Sequence, residues 1–242
     1  MLPTATVGDG IDAPAGGWTF AGSVAENFGA HVSRSVPGYD SAHASIVALS
    51  DHFVTPGGTV YDVGCSTGTL LGTLADRHAQ RGVSFVGVDA ESDMVAVARR
   101  RFSGNPAVRI VEADARSFHW EPAELFVAHL TLQFLPVAAR PDMLSAIHDA
   151  LRPGGALLLF EKTLAPTPLL HDVLTQAYTE HKLSQGFAAE EVLSKSRALR
   201  SVMRPLTSAQ NHAMLRRAGF TDVATIHQNL CFEGVLAVKG AA

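Results

Sequence analysis

The sequence predicts a Rossmann-like, doubly wound α/β fold, and three observations carry that expectation. Short apolar runs alternate with helical patterns from residue 59 onward, a glycine-rich turn follows the first run directly, and apolar residues make up 47% against 17% charged. Strands alternating with helices imply parallel βαβ units in one sheet. The 242 residues suit one large domain. The start, 1–17, is rich in Gly, Ala and Pro and reads as a flexible tail; 18–242 reads as one domain. From 20 to 53 the pattern is helical, broken at Pro37-Gly38, and reads as an N-terminal cap. Strand candidates are 59–63, 84–88, 108–111, 125–130 and 156–160, with helical patterns at 69–80, 92–102 and 138–151 between them. Arg152-Pro153-Gly154-Gly155 is expected to stop the last of these helices and turn the chain into a strand. The alternation then breaks over 168–218, which reads as two or three consecutive helices punctuated by Gly186 and Pro205. This helical insertion suits a lid, a dimer arm or a plain packing element. Two strand-like runs, 222–227 and 230–239, close the chain as an antiparallel edge hairpin turning near Asn229, which makes seven strands.

Composition excludes several classes. The formal net charge is −4 and aromatics are 7%, so neither a broad basic surface nor many base-stacking platforms are available for nucleic acid. No apolar run reaches the ~18–20 residues of a membrane span, and the start lacks the basic and apolar regions of a secretory signal. Two cysteines, Cys65 and Cys231, cannot make a disulfide framework, which points to a reducing, cytoplasmic setting. The 11 histidines show no metal-ligand spacing such as H-E-x-x-H, so no metal is expected.

The segment from Val60 to Gly68 is a buried strand running through small residues into a helix. Glycines let a backbone approach a ligand closely, and a helix N-terminus offers unpaired N–H groups. Three chemistries compete for it. Gly64-Cys65-Ser66-Thr67-Gly68 spells G-x-S-x-G, the nucleophile elbow of a serine hydrolase using Ser66, but no upstream oxyanion segment accompanies it. A dinucleotide site would need G-x-G-x-x-G, and Ser66 stands where the second glycine belongs. The S-adenosylmethionine site of a class I methyltransferase wants an acid two residues before the first glycine, and Asp62 is there. Asp89, at the end of the second strand, can take both ribose hydroxyls, and Asp114, after the third, can accept from the adenine amino group. Acids at the ends of three successive strands converge on the switch-point crevice of such a sheet. That constellation favours the third reading.

The chain also resembles the carboxy-S-adenosylmethionine synthases, a branch of the class I methyltransferase fold whose members make a carboxylated cofactor from S-adenosylmethionine and prephenate. The matching stretches include Trp18-Thr19-Phe20, Arg34 to Tyr39, Val60 to Ser66, Thr131 to Leu135, Pro153 to Leu157, Glu161-Lys162 and Ala218-Gly219-Phe220. By this resemblance Tyr39, Gly64, Cys65, Ser66, Asp89, Ala90, Asp114 and Ala115 contact the cofactor, and the enzyme is a homodimer. Asp62 and Gly68 belong to the same cofactor-binding set through the turn. Two positions depart from the family. His129 stands where the family has an asparagine after the fourth strand. In the insertion, gap-free alignment over 191–203 puts Ser196 where the family has the arginine that holds the new carboxylate. Arg197 is one residue late, a rotation of ~100° on a helix; Arg34 is another stand-in.

An unpaired carboxylate in a partly buried site is costly. On that ground the sequence favours simple methyl transfer to a small-molecule acceptor, with carboxy-S-adenosylmethionine synthesis as the alternative. Methyl transfer from a sulfonium is an in-line displacement that needs alignment and exclusion of water. His129, Tyr39 and Arg34 are the candidate catalytic residues. His129 would sit beside the methyl group as a base or a hydrogen-bonding wall. Tyr39 and Arg34 lie on the segment that would cap the pocket. Cys65 reads as a small buried spacer in the loop.

Overall fold

The computed structural model describes residues 4–241. Residues 1–3 of the expected tail and residue 242 of the expected domain lie outside the described residues. The described part of the tail is not loose. It forms an antiparallel hairpin, β1 (Thr4–Thr6) and β2 (Asp12–Pro14). Val7, Ile11 and Ala13 bury themselves with Trp18 against Met94 and Ala198. Three apolar residues within a Gly-rich stretch are enough to anchor it once a tertiary surface is on offer. Backbone bonds from Gly16 N to the Arg197 carbonyl (2.8 Å) and from Trp18 N to the Ala198 carbonyl (3.2 Å) tie this strap to the later insertion.

Two helices follow, α1 (Ser23–Ser35) and α2 (Tyr39–Phe53). Between them Gly38 takes φ 74°, the left-handed geometry that lets the chain reverse. The alternating core then runs β3 (Thr59–Val63), α3 (Thr69–Arg77), β4 (Ser84–Asp89), α4 (Ser92–Arg101), β5 (Val108–Glu112), β6 (Ala123–His129), α5 (Arg140–Ala150) and β7 (Leu151–Leu164). The insertion contributes α6 (Pro168–Ser184), α7 (Ala189–Ala198), the two-residue β8 (Leu206–Thr207) and α8 (Ser208–Arg217). The chain closes with β9 (Asp222–Asn229) and β10 (Phe232–Val238). Caps mark the breaks in the insertion: Thr167 accepts from Leu170 N ahead of α6, and Thr207 and Gln210 form a capping box ahead of α8.

The main sheet has the path β5-β4-β3-β6-β7-β10-β9, with β8 paired to β7 off that path. Strands β3 to β7 pair in parallel, and β10 pairs antiparallel with both β7 and β9. Seven strands on one path, ending in an antiparallel hairpin, match the expected sheet. Period-two alternation assigns the two faces. Tyr61, Val63, Phe126, Ala128, Leu157 and Leu159 pack against α5 and α8. Val60, Phe85, Leu125, Val127 and Leu158 pack against α2, α3 and α4. One expected feature differs. Arg152 to Gly155 does not form a free turn but is absorbed into β7 as an irregularity, where pairing with β6 jumps from Ala123↔Leu151 to Leu125↔Ala156. Gly154 N and Lys239 N each find carbonyls across that irregularity at 2.9 Å, so the chain end satisfies the looped-out backbone.

After β3 the chain builds β4 and β5 on one side, then returns to place β6 on the other. The carboxyl ends of β3 and β6 therefore flank a topological switch point, where ligands bind in open α/β sheets.

Candidate active site

A cavity of about 330 Å³ opens at this switch point, within the ~300–1,000 Å³ usual for small-molecule sites. Its floor is the turn after β3. Gly64 N and Cys65 N both donate to the Val88 carbonyl, at 2.7 and 3.2 Å, which pins the turn to β4. Gly64 has φ 74°, and a Cβ there would stand 2.5 Å from the Thr131 side chain. Thr131 Oγ1 in turn donates to the Val63 carbonyl at 2.7 Å, clamping the end of β6 onto the end of β3. The buried Glu161 carboxylate accepts from the backbone N–H groups of Thr131, Leu132 and Gln133 at 2.7–3.0 Å and so holds the loop after β6.

Two carboxylates face this end of the cavity. Asp62 is 2% exposed, and burial together with the neighbouring Asp89 charge pushes its carboxyl up to about 7. Asp89 accepts one backbone N–H on each oxygen, from Ser66 at 2.7 Å and Glu91 at 2.9 Å. Burial raises its carboxyl, while those bonds hold it back. Each oxygen keeps a lone pair for a ligand hydroxyl. Acidic groups beside a close-approach glycine turn suit a nucleoside that carries a positive centre.

The opposite wall is aromatic and uncharged. His129, at the end of β6, has ring contacts with Tyr39 (5.2 Å), His43 (4.8 Å) and Phe160 (5.6 Å). Burial holds the His129 imidazole well below its usual range, and the neighbouring His43 and His227 act in the same direction. Burial also lowers His43 to about 4 and raises the Tyr39 phenol, which the Asp62 charge raises further. All three groups are neutral at pH 7.

Of the residues singled out from sequence, Tyr39, Asp62, Gly64, Cys65, Ser66, Asp89, Ala90 and His129 come together as lining of this cavity. Four do not. The Arg34 guanidinium pairs with Asp9, donates to the Gln185 carbonyl at 2.8 Å and lies 4.6 Å over the Phe187 ring, so it fastens α1 to the strap and to the end of α6. Asp114 is chelated by Arg116 two residues on and stays outside, and Ala115 packs against the core. Gly68 forms the left-handed entry to α3, packed against Phe102. Ser66 Oγ donates to the Met94 sulfur at 3.3 Å rather than to a histidine, so the base that an elbow serine needs is missing. Burial raises the Cys65 thiol well above its usual range, consistent with a spacer.

The structure adds residues that sequence reading passed over. Lys162 from β7, Tyr178 from α6 and Lys195 from α7 line the far end of the cavity. Lys195 donates to His31 Nε2 and, at 3.3 Å, to Ser35 Oγ; His31 Nδ1 then donates to Asp9 at 2.8 Å. Burial, with Lys182 nearby, pushes the Lys195 ammonium down to about 7. The adjacent Ser196 and Arg197 are exposed and outside the lining. A signal for Lys162 did exist, because Glu161-Lys162 is among the matching stretches. Lys195 has Glu191 one helical turn before it and looks like half of a surface pair, although Glu191 Oε2 is spent on Ala188 N. Among the described residues no group of three or more His, Cys, Asp or Glu side chains could hold a metal ion, and no helix is long and apolar enough to cross a membrane.

Comparison with known proteins agrees with this geometry. Residues 60–155 match a family described as a methyltransferase domain. A carboxy-S-adenosyl-L-methionine synthase of Staphylococcus epidermidis is 34% identical over 223 residues, 92% of this chain and 97% of that protein. The protein of the same name from Methylococcus capsulatus is 37% identical over 91% of this chain and 93% of its own length. Among solved structures, human N-acetylserotonin methyltransferase in complex with SAM aligns with a TM-score of 0.58 at 23% identity, over 82% of this chain and 52% of that one. The pyocyanin biosynthetic protein PhzM aligns with a TM-score of 0.63 at 18% identity, over 90% of this chain and 59% of that one. These two similarities bear on the fold: it is the Rossmann-like fold of class I methyltransferases.

Proposed function

The chain belongs to the carboxy-S-adenosyl-L-methionine synthase family of S-adenosylmethionine-dependent transferases, and from that premise we propose that it carboxylates S-adenosylmethionine with prephenate as the carboxyl donor. This reading takes up the alternative in place of simple methyl transfer, which the charge argument favours from sequence. The observation that carries it is Lys195. Ser196 stands at the family's arginine position, and the preceding residue of α7, Lys195, lines the cavity with its ammonium bonded to His31 and Ser35. A cationic partner for a carboxylate is therefore in the site, supplied by a neighbouring position on the same helix. A neutral methyl acceptor would leave that ammonium with Asp9, reached through His31, as its negative partner.

In the proposed reaction the sulfonium-bound methyl carbon of S-adenosylmethionine loses a proton and bonds to the carboxyl carbon that prephenate releases by breaking its ring C–CO2 bond. Prephenate also loses its ring hydroxyl, which leaves with that proton as water, so the second product is phenylpyruvate. Asp89 takes the ribose hydroxyls with the lone pairs that the Ser66 and Glu91 amides leave free. Asp89, with Asp62 about half ionised near pH 7, supports a negative potential at the end where the sulfonium would enter. Tyr39, His43 and His129 form a neutral wall that excludes water from the reacting carbon without competing for its proton in ionised form. The exposed Leu169, Leu170, Val173 and Leu193 on α6 and α7 support the homodimer expected from the resemblance. Two buried free thiols, Cys65 and Cys231, support a reducing, cytoplasmic setting.

The test is mass spectrometry of the nucleoside pool after incubation with S-adenosylmethionine and prephenate. A species heavier by one CO2 unit is expected. Its absence, with S-adenosylhomocysteine accumulating in the presence of some small acceptor, returns the reaction to methyl transfer.

A further inference from the structure

The tip of the β1–β2 hairpin is built from three consecutive residues in the left-handed region, Gly8 (φ 95°), Asp9 (φ 55°) and Gly10 (φ 73°). Glycine adopts that backbone freely, and aspartate is one of the few other residues that visit it routinely. Val7 N closes the tip onto the Ile11 carbonyl at 2.8 Å. Gly8 sits so close to Phe187 that a Cβ there would stand 2.7 Å from the ring. The tip is therefore seated on the insertion, and its one side chain turns inward. The Asp9 carboxylate, 15% exposed, meets both His31 and Arg34 of α1.

From Asp9 a directed chain of hydrogen bonds runs to the cavity. An ionised carboxylate only accepts, so His31 Nδ1 carries the proton and donates to Asp9 at 2.8 Å. That tautomer leaves Nε2 bare, and Nε2 accepts from the Lys195 ammonium, which has donors only. Burial, with Lys195 and Arg34 acting alongside it and Asp9 against it, lowers the imidazole to about 4, so the ring is neutral at pH 7. The order is cation, neutral ring, anion, on α7, α1 and the strap. Trp18 holds it from the side: His31 stacks on that ring at 6.1 Å, and the Lys195 ammonium lies 5.1 Å from its centre. The other charges around Lys195 offer it no partner. Lys182 of α6 and Lys162 of β7 repel it, Arg34 is taken by Asp9, and Glu191 of α7 accepts from Ala188 N. Burial keeps the Tyr178 phenol of α6 neutral. Burial, then Lys182 and Lys162, push the Lys195 ammonium down to about 7, and Asp9 opposes them.

We infer that Asp9 is a positioning residue of the active site: through the tautomer it imposes on His31, it anchors the Lys195 ammonium at the cavity wall as the cation that receives a carboxylate. The inference rests on the role given to Lys195 in the proposed reaction, and it extends the site to a strap that composition marks as a tail. The physical reason is a choice between two tautomers. With a neutral group at position 9, His31 is free to carry its proton on Nε2, and a donor then faces the ammonium. Two donors cannot bond, so Lys195 loses either its anchor or its own proton.

The experiment is calorimetric titration of carboxy-S-adenosylmethionine and, separately, of S-adenosylmethionine into the full-length protein from pH 6 to 9. The two ligands differ by one carboxylate, so the ratio of their affinities cancels a general loss of binding. Wild type is expected to prefer the carboxylated ligand, and to lose that preference as rising pH takes the proton from Lys195. Asp9→Asn keeps the hairpin tip, because asparagine tolerates the left-handed region as aspartate does. It is expected to lower the ratio at pH 7.5 by about 10-fold, the worth of one charged hydrogen bond. It should also move the loss to lower pH, because the charge that opposes Lys182 and Lys162 is gone. Nitrogen-15 NMR of His31 should show the proton on Nδ1 in wild type and its departure from Nδ1 in Asp9→Asn, a change that a merely structural role would not produce. If Asp9→Asn fails to fold, His31→Phe keeps a ring on Trp18, removes both nitrogens and should lower the ratio likewise. A ratio and pH course that survive in the variant, a wild-type ratio near one, or a wild-type His31 protonated on Nε2 overturns the inference. Wild type that makes the carboxylated nucleoside from prephenate while Asp9→Asn keeps the ratio refutes the positioning role and leaves the reaction standing. Wild type that shows the ratio, and its fall in Asp9→Asn, without making that product keeps the positioning role and refutes the reaction.

Discussion

Lys182→Met should make the ligand-free protein more stable, an unusual expectation for a substitution at a site only 8% exposed. Among the described residues the Lys182 ammonium has no carboxylate partner, and burial with the nearby Lys162 charge moves it from 10.5 to about 8. At ~1.4 kcal/mol per pH unit, that shift corresponds to about 3 kcal/mol of penalty on the charged form. Its contact with the Tyr178 ring at 3.9 Å returns ~0.5–2 kcal/mol. Methionine keeps the unbranched stem and its packing, so the net gain at pH 7 is about 1–2 kcal/mol. For a chain of this size that is a rise of about 2–8 °C in Tm. The sign with pH follows from linkage. The unfolded chain holds this proton up to about 10.5 and the folded chain only to about 8. The penalty is therefore complete below pH 8 and is relieved as pH rises toward 10.5. Scanning calorimetry of both proteins without ligand should show the largest gap at pH 7 and a smaller one at pH 9.5. A variant that melts lower at pH 7, or a gap that widens with pH, would refute the picture of an unpaired buried charge.

Other expectations follow from the cofactor end. Asp89→Ala should weaken S-adenosylhomocysteine binding by about 1.5–3 kcal/mol or more in calorimetry, since charge-assisted bonds to the ribose and the acceptor for Ser66 N and Glu91 N are lost together; unchanged affinity would remove Asp89 from the ribose site. Ser66→Ala should keep most of the activity, because the hydroxyl reaches only the Met94 sulfur at 3.3 Å; a loss of several orders of magnitude with intact cofactor binding would instead mark Ser66 as a nucleophile. Gly64→Ala places a Cβ 2.5 Å from Thr131 at φ 74°, and the left-handed strain of ~1–2 kcal/mol plus overpacking of ~1–3 kcal/mol should lower both Tm and cofactor affinity; a variant that melts and binds like wild type would mean that the turn is not held as described.

What the sequence determined by itself is the part governed by local rules. The strand runs follow from short apolar stretches alternating with helical patterns, and the turn at Gly64 follows from a residue that tolerates φ 74° between a buried strand and a helix. The acids at the ends of β3 and β4 fall into the crevice because a doubly wound sheet brings those strand ends together whatever the rest of the chain does. Tertiary structure alone decided which charged side chains meet. Arg34 lies on the segment that resembles the family, yet it is captured by Asp9, 25 residues earlier, in a strap that composition marks as a tail. Asp114 pairs with Arg116 and stays outside the cavity lining. Lys195 meets His31 across 164 residues, and Lys162 and Lys182 meet only over the ring of Tyr178. A lysine's charge reads the same on a wet surface as in a cavity; its meaning depends on whether a counter-ion and water are within reach, and long-range packing sets both.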